Sequence, residues 1–100
     1  MKIEGADHIG INVSNMERAL HFYHDLLKLP ILREKIDNGD NDIYYLQLGA
    51  DSRIELFDYH GSSEKKEVAE SDLGYRHLAI RVDDVDEWAA YLKEKGVPIR

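Results

Sequence analysis

Several features that would direct the chain towards particular functions are missing or scarce. There is no cysteine among the 100 residues, which excludes disulfides, a thiolate nucleophile and sulfur ligands, and which fits the reducing cytoplasm where we expect the protein. The net charge of −7 argues against nucleic acid or an anionic membrane as a partner. No segment approaches the roughly 20 apolar residues that span a bilayer. Residues 1–7 lack the apolar run of a signal peptide.

What the sequence does contain is an internal repeat at a spacing of 69 residues. Segment 7–13 is repeated by segment 76–82, and His8 of the first copy corresponds to His77 of the second. Each copy runs from a strand pattern into a helix pattern. A repeat of this kind predicts two copies of one supersecondary unit. It also means that one histidine is placed at the same position twice.

The first copy begins a unit of one strand, one helix and three further strands in antiparallel succession. Alternating polarity puts His8, Gly10 and Asn12 on one face of the first strand and aliphatic side chains on the other. A capping box that starts at Ser14 predicts the beginning of the helix, and Pro30 its end. The predicted strands are 5–13, 31–36, 43–48 and 53–59, and a turn is predicted over 37–42.

The second copy begins a similar but shorter unit. It follows a polar linker and consists of a predicted strand over 75–82 and a helix that starts with the capping box of Asp84 and Glu87. Gly96 and Pro98 then supply the usual order of helix stop signals. By comparison with the first unit, about 28 further residues would be needed for the remaining strands.

These patterns together predict an α+β fold of paired βαβββ modules, with the second module incomplete after its helix. We expect the chain to be a fragment of a longer one, or to be completed by a second chain, because a half-finished repeat leaves sheet edges uncovered. The predicted organisation is a single domain with module one over 1–59, a linker over 60–73 and a truncated module two over 74–100.

Three side chains are candidates for metal chemistry: His8, Glu55 and His77. Glu55 lies between Ile54 and Leu56, so strand alternation points its carboxylate to the face opposite these aliphatic residues. A carboxylate there must be ion-paired, solvated in a cavity or bound to a metal. A lone strand histidine is more often an ordinary hydrogen-bonded residue, but two at equivalent repeat positions favour a metal site. Imidazoles and carboxylates without thiolates suit zinc, nickel, manganese, cobalt or iron as the divalent ion.

The remaining histidines and arginines have simpler interpretations. His21 and His24 lie on the predicted helix, where this spacing is usually solvated surface. His60 follows a strand and is expected in an exposed loop. Arg76 and Arg81 flank His77 and could hold an anionic substrate, although arginine on a strand edge commonly pairs with Asp or Glu.

Segments 7–13, 19–23, 54–56 and 77–82 together resemble the vicinal-oxygen-chelate superfamily. This group includes glyoxalase I, methylmalonyl-CoA epimerase, fosfomycin-resistance enzymes, extradiol dioxygenases and bleomycin-binding proteins. The resemblance implies paired βαβββ units that form a cupped sheet around one metal ion. It implies that His8, Glu55 and His77 are metal ligands, and that a fourth ligand, usually a Glu, falls beyond residue 100.

Within the family, the acidic residue at position 55 resembles glyoxalase I most closely, since the epimerases often carry Gln there. Glyoxalase I commonly has an Arg four residues after the first ligand, where this chain has Asn12. The leading hypothesis is a metal-dependent lyase or isomerase of the glyoxalase type, which acts through an enediolate on a small vicinal-oxygen substrate. The base is Glu55 or the Glu expected as the fourth ligand. The alternatives are a non-catalytic small-molecule-binding protein of the bleomycin-resistance type and a methylmalonyl-CoA epimerase-like enzyme. We expect a homodimer, with or without exchanged strands.

Overall fold

The computed structural model of the protein describes residues 1–37, 39–61 and 69–99, without the side chains of 34–37. The chain divides into two compact units, Met1–Ser63 and Glu64–Arg100. The predicted turn over 37–42 and the predicted linker over 60–73 lie partly outside the described residues. No helix in the described ranges is both long enough and apolar enough to cross a bilayer.

The first unit contains the predicted succession of one strand, one helix and three strands, and the predicted α+β class is confirmed. Its helix α1 continues directly into a π-helix. The elements are β1 (His8–Asn12), α1 (Met16–Leu20), the π-helix (His21–Leu26), β2 (Ile31–Asp37), β3 (Asp42–Leu48) and β4 (Ser52–Asp58).

The four strands form one sheet in the order β1-β4-β3-β2. Strands β2, β3 and β4 are antiparallel to one another, as predicted, whereas β1 runs parallel to β4. One sheet face carries the fully buried core residues Leu46, Ile54 and Leu56, against which the apolar side of the helical segment packs. Because side chains alternate along a strand, the opposite face carries His8 and Glu55.

The helix begins one residue later than predicted, because Asn15 rather than Ser14 is its N-cap. Asn15 has the extended backbone that an N-cap needs, with φ −150° and ψ 107°. Its side-chain oxygen accepts a hydrogen bond from the backbone N–H of Arg18 at 3.0 Å. The backbone N–H of Met16, which has no partner inside the helix, donates to the buried carboxylate of Asp58 at 3.1 Å. This bond links the start of the helix to the end of β4.

The helical segment ends before Pro30, through its own geometry. The backbone N–H of Leu27 donates to the carbonyl of Phe22, five residues earlier, at 2.9 Å, which is the wide turn of a π-helix. Lys28 then takes a left-handed backbone with φ 63° and turns the chain away. Pro30 therefore follows the helix end and does not cause it.

The second unit contains one helix, α2 (Val85–Glu94), within the described residues 69–99. Its predicted N-cap is confirmed, since the Asp84 carboxylate accepts from the backbone N–H of Glu87 at 3.0 Å. Gly96 follows the helix with φ 84°, the left-handed conformation that glycine adopts at low cost.

The predicted strand over 75–82 is wrong. These residues form no ladder, and Leu78 and Ile80 remain 41% and 40% exposed. The physical reason is that a strand needs a hydrogen-bonded neighbour, whereas the described part of the second unit supplies α2 and no strand. The alternation of polar and apolar residues is therefore not sufficient for a strand to form.

The sheet core should dominate the stability of the first unit. Leu56→Ala removes a fully buried side chain from the face that packs against α1, and we expect it to lower the free energy of unfolding by about 2–5 kcal/mol. Leu32→Ala on β2, where the side chain is 52% exposed, should change it by about 0.5 kcal/mol or less. Urea unfolding followed by circular dichroism measures both, and equal effects would contradict the assigned core.

Alkaline pH should destabilise the fold through Tyr23. Burial against the core raises the pKa of the Tyr23 phenol above its ordinary value of 10.0. The stabilising preference for the neutral phenol is complete below the unfolded-state pKa and is lost as pH rises through the folded-state pKa. The melting temperature should therefore fall less steeply above pH 10 in Tyr23→Phe than in the wild type. Identical slopes in the two proteins would exclude this role for Tyr23.

Candidate functional site

The parallel pairing of β1 with β4 assembles the candidate site of the first unit. In this register His8 lies opposite Arg53, and Gly10 lies opposite Glu55. Glu55 is only 9% exposed, although it is an acidic residue on the sheet face away from the apolar core. Two strands that are distant in sequence thus bring an imidazole, a carboxylate and a guanidinium to one place.

His8 directs one ring nitrogen at each of two carboxylates. Its Nδ1 lies 2.7 Å from Asp7 Oδ2, and its Nε2 lies 3.7 Å from Glu55 Oε2. Because a carboxylate only accepts hydrogen bonds, Nδ1 is the donor in the short contact to Asp7, which orients the ring with Nε2 towards Glu55. Arg53 Nη2 also lies 3.4 Å from Nδ1, but Nδ1 cannot accept a hydrogen bond from it while it donates to Asp7.

The neighbours of Asp7 in this cluster favour its charged form. The hydrogen bond from His8, followed by the charge of Arg53, holds the pKa of Asp7 below its ordinary value of 3.8. Asp7 therefore remains a carboxylate that orients the His8 ring across the neutral pH range.

Arg53 is the cation at the centre of the cluster. Its Nε donates to Glu55 Oε2 at 2.8 Å, and its Nη1 lies 3.5 Å from Asp7 Oδ2. Its guanidinium carbon lies 5.8 Å from the centre of the Tyr45 ring, within the range of a cation–π contact. The hydrogen bond to Glu55 is the main cause that raises the pKa of Arg53 above its ordinary value.

Sequence reasoning did not select Arg53 as a site residue. The signal was present, because alternation along β4 puts Arg53 on the same face as Glu55, two residues away. What the sequence did not give was the register that places Arg53 directly opposite His8. Without knowledge of that register, nothing distinguishes Arg53 from the other arginines on predicted strands.

Gly10 lies opposite Glu55 and adds no side chain to this sheet face. A Cβ atom at this position would lie 3.3 Å from Cε2 of Phe57, which is a tighter contact than a packed side chain usually makes. The absence of a side chain at Gly10 therefore lets the Phe57 ring lie against the strand beside Glu55. The face thus combines a buried carboxylate with an aromatic wall.

His77, the third predicted ligand, is exposed and belongs to the second unit. The structure thus places His8 and Glu55 side by side in the first unit, while the role of His77 as a ligand stays a prediction. Within residues 1–37, 39–61 and 69–99, no group of three or more His, Asp or Glu side chains is placed to hold a metal ion.

The other histidines and Arg76 have local partners. His21 Nδ1 lies 3.1 Å from Asp25, and His24 Nδ1 lies 2.7 Å from the carbonyl of Leu29. These contacts of the two rings therefore stabilise the helical segment and its C-terminal end. The exposed His60 ring lies 3.3 Å from Asp42, and Arg76 pairs with Glu70 at 3.2 Å.

Comparison with known proteins supports the family that the sequence resembles. The family model described as "Glyoxalase/Bleomycin resistance protein/Dioxygenase superfamily" matches residues 5–100. Among curated proteins, the metallothiol transferase FosB of Staphylococcus epidermidis is 32% identical over 97% of this chain and 64% of its own length. The lactoylglutathione lyase of Neisseria meningitidis serogroup A is 27% identical over 89% of this chain and 64% of its own length.

These matches are partial for the relatives, since the chain spans 64% of the length of each of the two proteins. The curated relatives as a group include transferases, an epimerase and lyases.

A solved structure agrees with the sequence matches. The glyoxalase family protein from Enterococcus faecalis superimposes with a TM-score of 0.79 at 30% identity, over 100% of this chain and 81% of that protein. Since the family model also matches nearly the whole chain, the protein belongs to the Glyoxalase/Bleomycin resistance protein/Dioxygenase superfamily, as its resemblance to the vicinal-oxygen-chelate enzymes predicted.

Proposed function

We propose that the protein is a metal-dependent lyase or isomerase of the glyoxalase type, in which His8 and Glu55 bind a divalent metal ion. The observation that carries this proposal is the 3.7 Å separation of His8 Nε2 from Oε2 of the buried Glu55. An imidazole nitrogen and a carboxylate oxygen that face each other are both groups that bind divalent cations. His77 is the third proposed ligand, on the strength of its equivalence to His8 in the internal repeat.

The donor set fits a first-row divalent ion. Two ligand atoms at about 2.1 Å from one ion lie about 3 to 3.5 Å apart, so the observed pair needs to close by only a few tenths of an ångström. The contact from His8 Nδ1 to Asp7 supplies the carboxylate–histidine support that metal-bound imidazoles usually have. Nitrogen and oxygen donors without sulfur suit zinc, nickel, manganese, cobalt or iron.

The chemistry that we assign is proton abstraction from a carbon acid to give an enediolate. A bound divalent ion would stabilise the negative charge that develops on neighbouring substrate oxygens. Glu55 is the proposed base, because its carboxylate is the group of the site that can accept and return a proton. The Phe57 and Tyr45 side chains lie on the same sheet face as Glu55, which is itself buried, and electrostatic stabilisation is stronger where water is excluded.

The proposed substrate class is based on the names of the relatives and on one departure from the sequence pattern of glyoxalase I. A metallothiol transferase and a lactoylglutathione lyase both act in thiol chemistry, which supports adducts of 2-oxoaldehydes with thiols as the substrates to test. Asn12 stands where glyoxalase I commonly has its glutathione-binding Arg, so we propose a thiol other than glutathione. We also propose that the protein works in the cytoplasm as a homodimer.

Metal titration tests the proposed ligands directly. The wild type should bind about one zinc, nickel, manganese or cobalt ion per chain in calorimetry, and His8→Ala, Glu55→Gln and His77→Ala should each weaken binding by at least about tenfold, since even the outer partners of metal ligands contribute that much. His21→Ala is the control, because His21 pairs with Asp25 on the helix surface. Equal affinity in His8→Ala and the wild type would reject the site.

Turnover tests the assignment of Glu55 as the base. In the metal-loaded protein, Glu55→Gln should lower turnover of the selected thiol adduct by about 10²- to 10⁴-fold, because it removes the proton acceptor. The fold should survive, since Gln keeps the shape of the side chain and can still accept from Arg53. Circular dichroism checks the fold, and full activity in Glu55→Gln would contradict the mechanism. Tight metal binding without turnover of any thiol adduct would instead favour a binding protein.

A further inference from the structure

The Arg53 guanidinium lies against both donors of the proposed metal site. It is hydrogen-bonded to Oε2 of Glu55, which is the same oxygen that faces His8 Nε2. Its Nη2 atom is 3.4 Å from the other ring nitrogen of His8. The carboxylate of Glu55 is therefore already neutralised in the metal-free protein, by a cation that belongs to the chain.

This pairing answers a physical requirement of the apo protein. Glu55 is 9% exposed, and a carboxylate so deeply buried needs a cation or a set of hydrogen bonds to remain charged. Arginine suits that role, because it stays charged at any pH relevant to proteins and its planar donors match a carboxylate. A divalent ion that binds Glu55 satisfies the same requirement with twice the charge.

Two cations at one carboxylate oxygen repel each other. A metal ion between His8 and Glu55 would be within a few ångströms of the guanidinium, well inside the roughly 8 Å over which salt screens charges at physiological ionic strength. The side chain of Arg53 has room to move away, because it is 36% exposed. The exposed Asp7 carboxylate and the Tyr45 ring already lie near it and can receive it after displacement.

We infer that Arg53 is a resident competitor of the metal site, which occupies Glu55 in the metal-free protein and which a divalent ion must displace in order to bind. This inference rests on the proposed metal-binding function of His8 and Glu55. Arg53 therefore sets the metal affinity: it balances the charge of Glu55 in the metal-free protein and lowers the affinity of the site for divalent ions. The opposite role would be a positioning residue, which holds Glu55 in place for the metal and increases the affinity.

Metal affinity separates these two roles, because they predict changes of opposite sign. In calorimetric titration with zinc or nickel, Arg53→Gln should bind the ion about tenfold more tightly than the wild type, as expected for removal of one charge-assisted hydrogen bond. The control is Arg18→Gln, which deletes the same charge from the exposed helix surface, where Arg18 contacts Ser14. Its affinity should equal that of the wild type.

A spectroscopic measurement on the wild-type protein tests displacement itself and does not depend on the stability of a variant. The Nε–H of Arg53 donates to Glu55 in the metal-free protein, so its ¹H–¹⁵N signal should exchange slowly with solvent. Saturation with zinc should release this N–H and accelerate its exchange. The Nε–H signal of Arg18 should not change.

The outcomes distinguish the inference from the function on which it rests. Tighter binding in Arg53→Gln, together with release of the Arg53 signal, supports the competitor role. Equal or weaker binding in Arg53→Gln, with normal binding in the wild type, overturns the competitor role and leaves the proposed metal site standing. If neither the wild type nor Arg53→Gln binds any of the ions, the proposed metal site fails, and the competitor role fails with it.

Discussion

The parallel pairing of β1 with β4 is the constraint on which the site depends. It brings together segments that are more than forty residues apart and sets His8 beside Arg53 and Gly10 beside Glu55. The same ladder assigns Ile54 and Leu56 to the apolar core on the other face. Because side chains alternate, a slip of one residue would exchange the two faces and bury charge where the helix packs. The hydrophobic core thus fixes the register, and the register fixes the site.

The electrostatics of the site follow from this division between the faces. Ionisable groups from two strands converge on the polar face, and each acidic group there has a basic neighbour within 3.5 Å. Arg53 is the cationic partner of both carboxylates, of Glu55 at 2.8 Å and of Asp7 at 3.5 Å. The family to which the chain belongs includes transferases, an epimerase and lyases, which places the chemical differences between its members in such local arrangements and not in the fold.

Much of the first unit could be predicted from the sequence, because alternation and turn residues are local signals. Alternation correctly placed His8 and Glu55 on the face opposite the aliphatic core. Pairing is not local, and the sequence therefore missed both Arg53 opposite His8 and the failure of 75–82 to form a strand. The helix start also has a partner that local signals do not show, since Asp58, 42 positions away, accepts a hydrogen bond from the first helical N–H.

The contact between Gly10 and Phe57 limits how this face can vary during evolution. At a distance of 3.3 Å from the Phe57 ring, an alanine methyl group at position 10 would require the ring to withdraw by a few tenths of an ångström, and a longer side chain would expel it. The absence of a side chain at position 10 is therefore what lets the Phe57 ring lie beside Glu55. Substitutions that change this surface without displacing the Phe57 ring therefore have to occur at the residues around Gly10 and not at Gly10 itself.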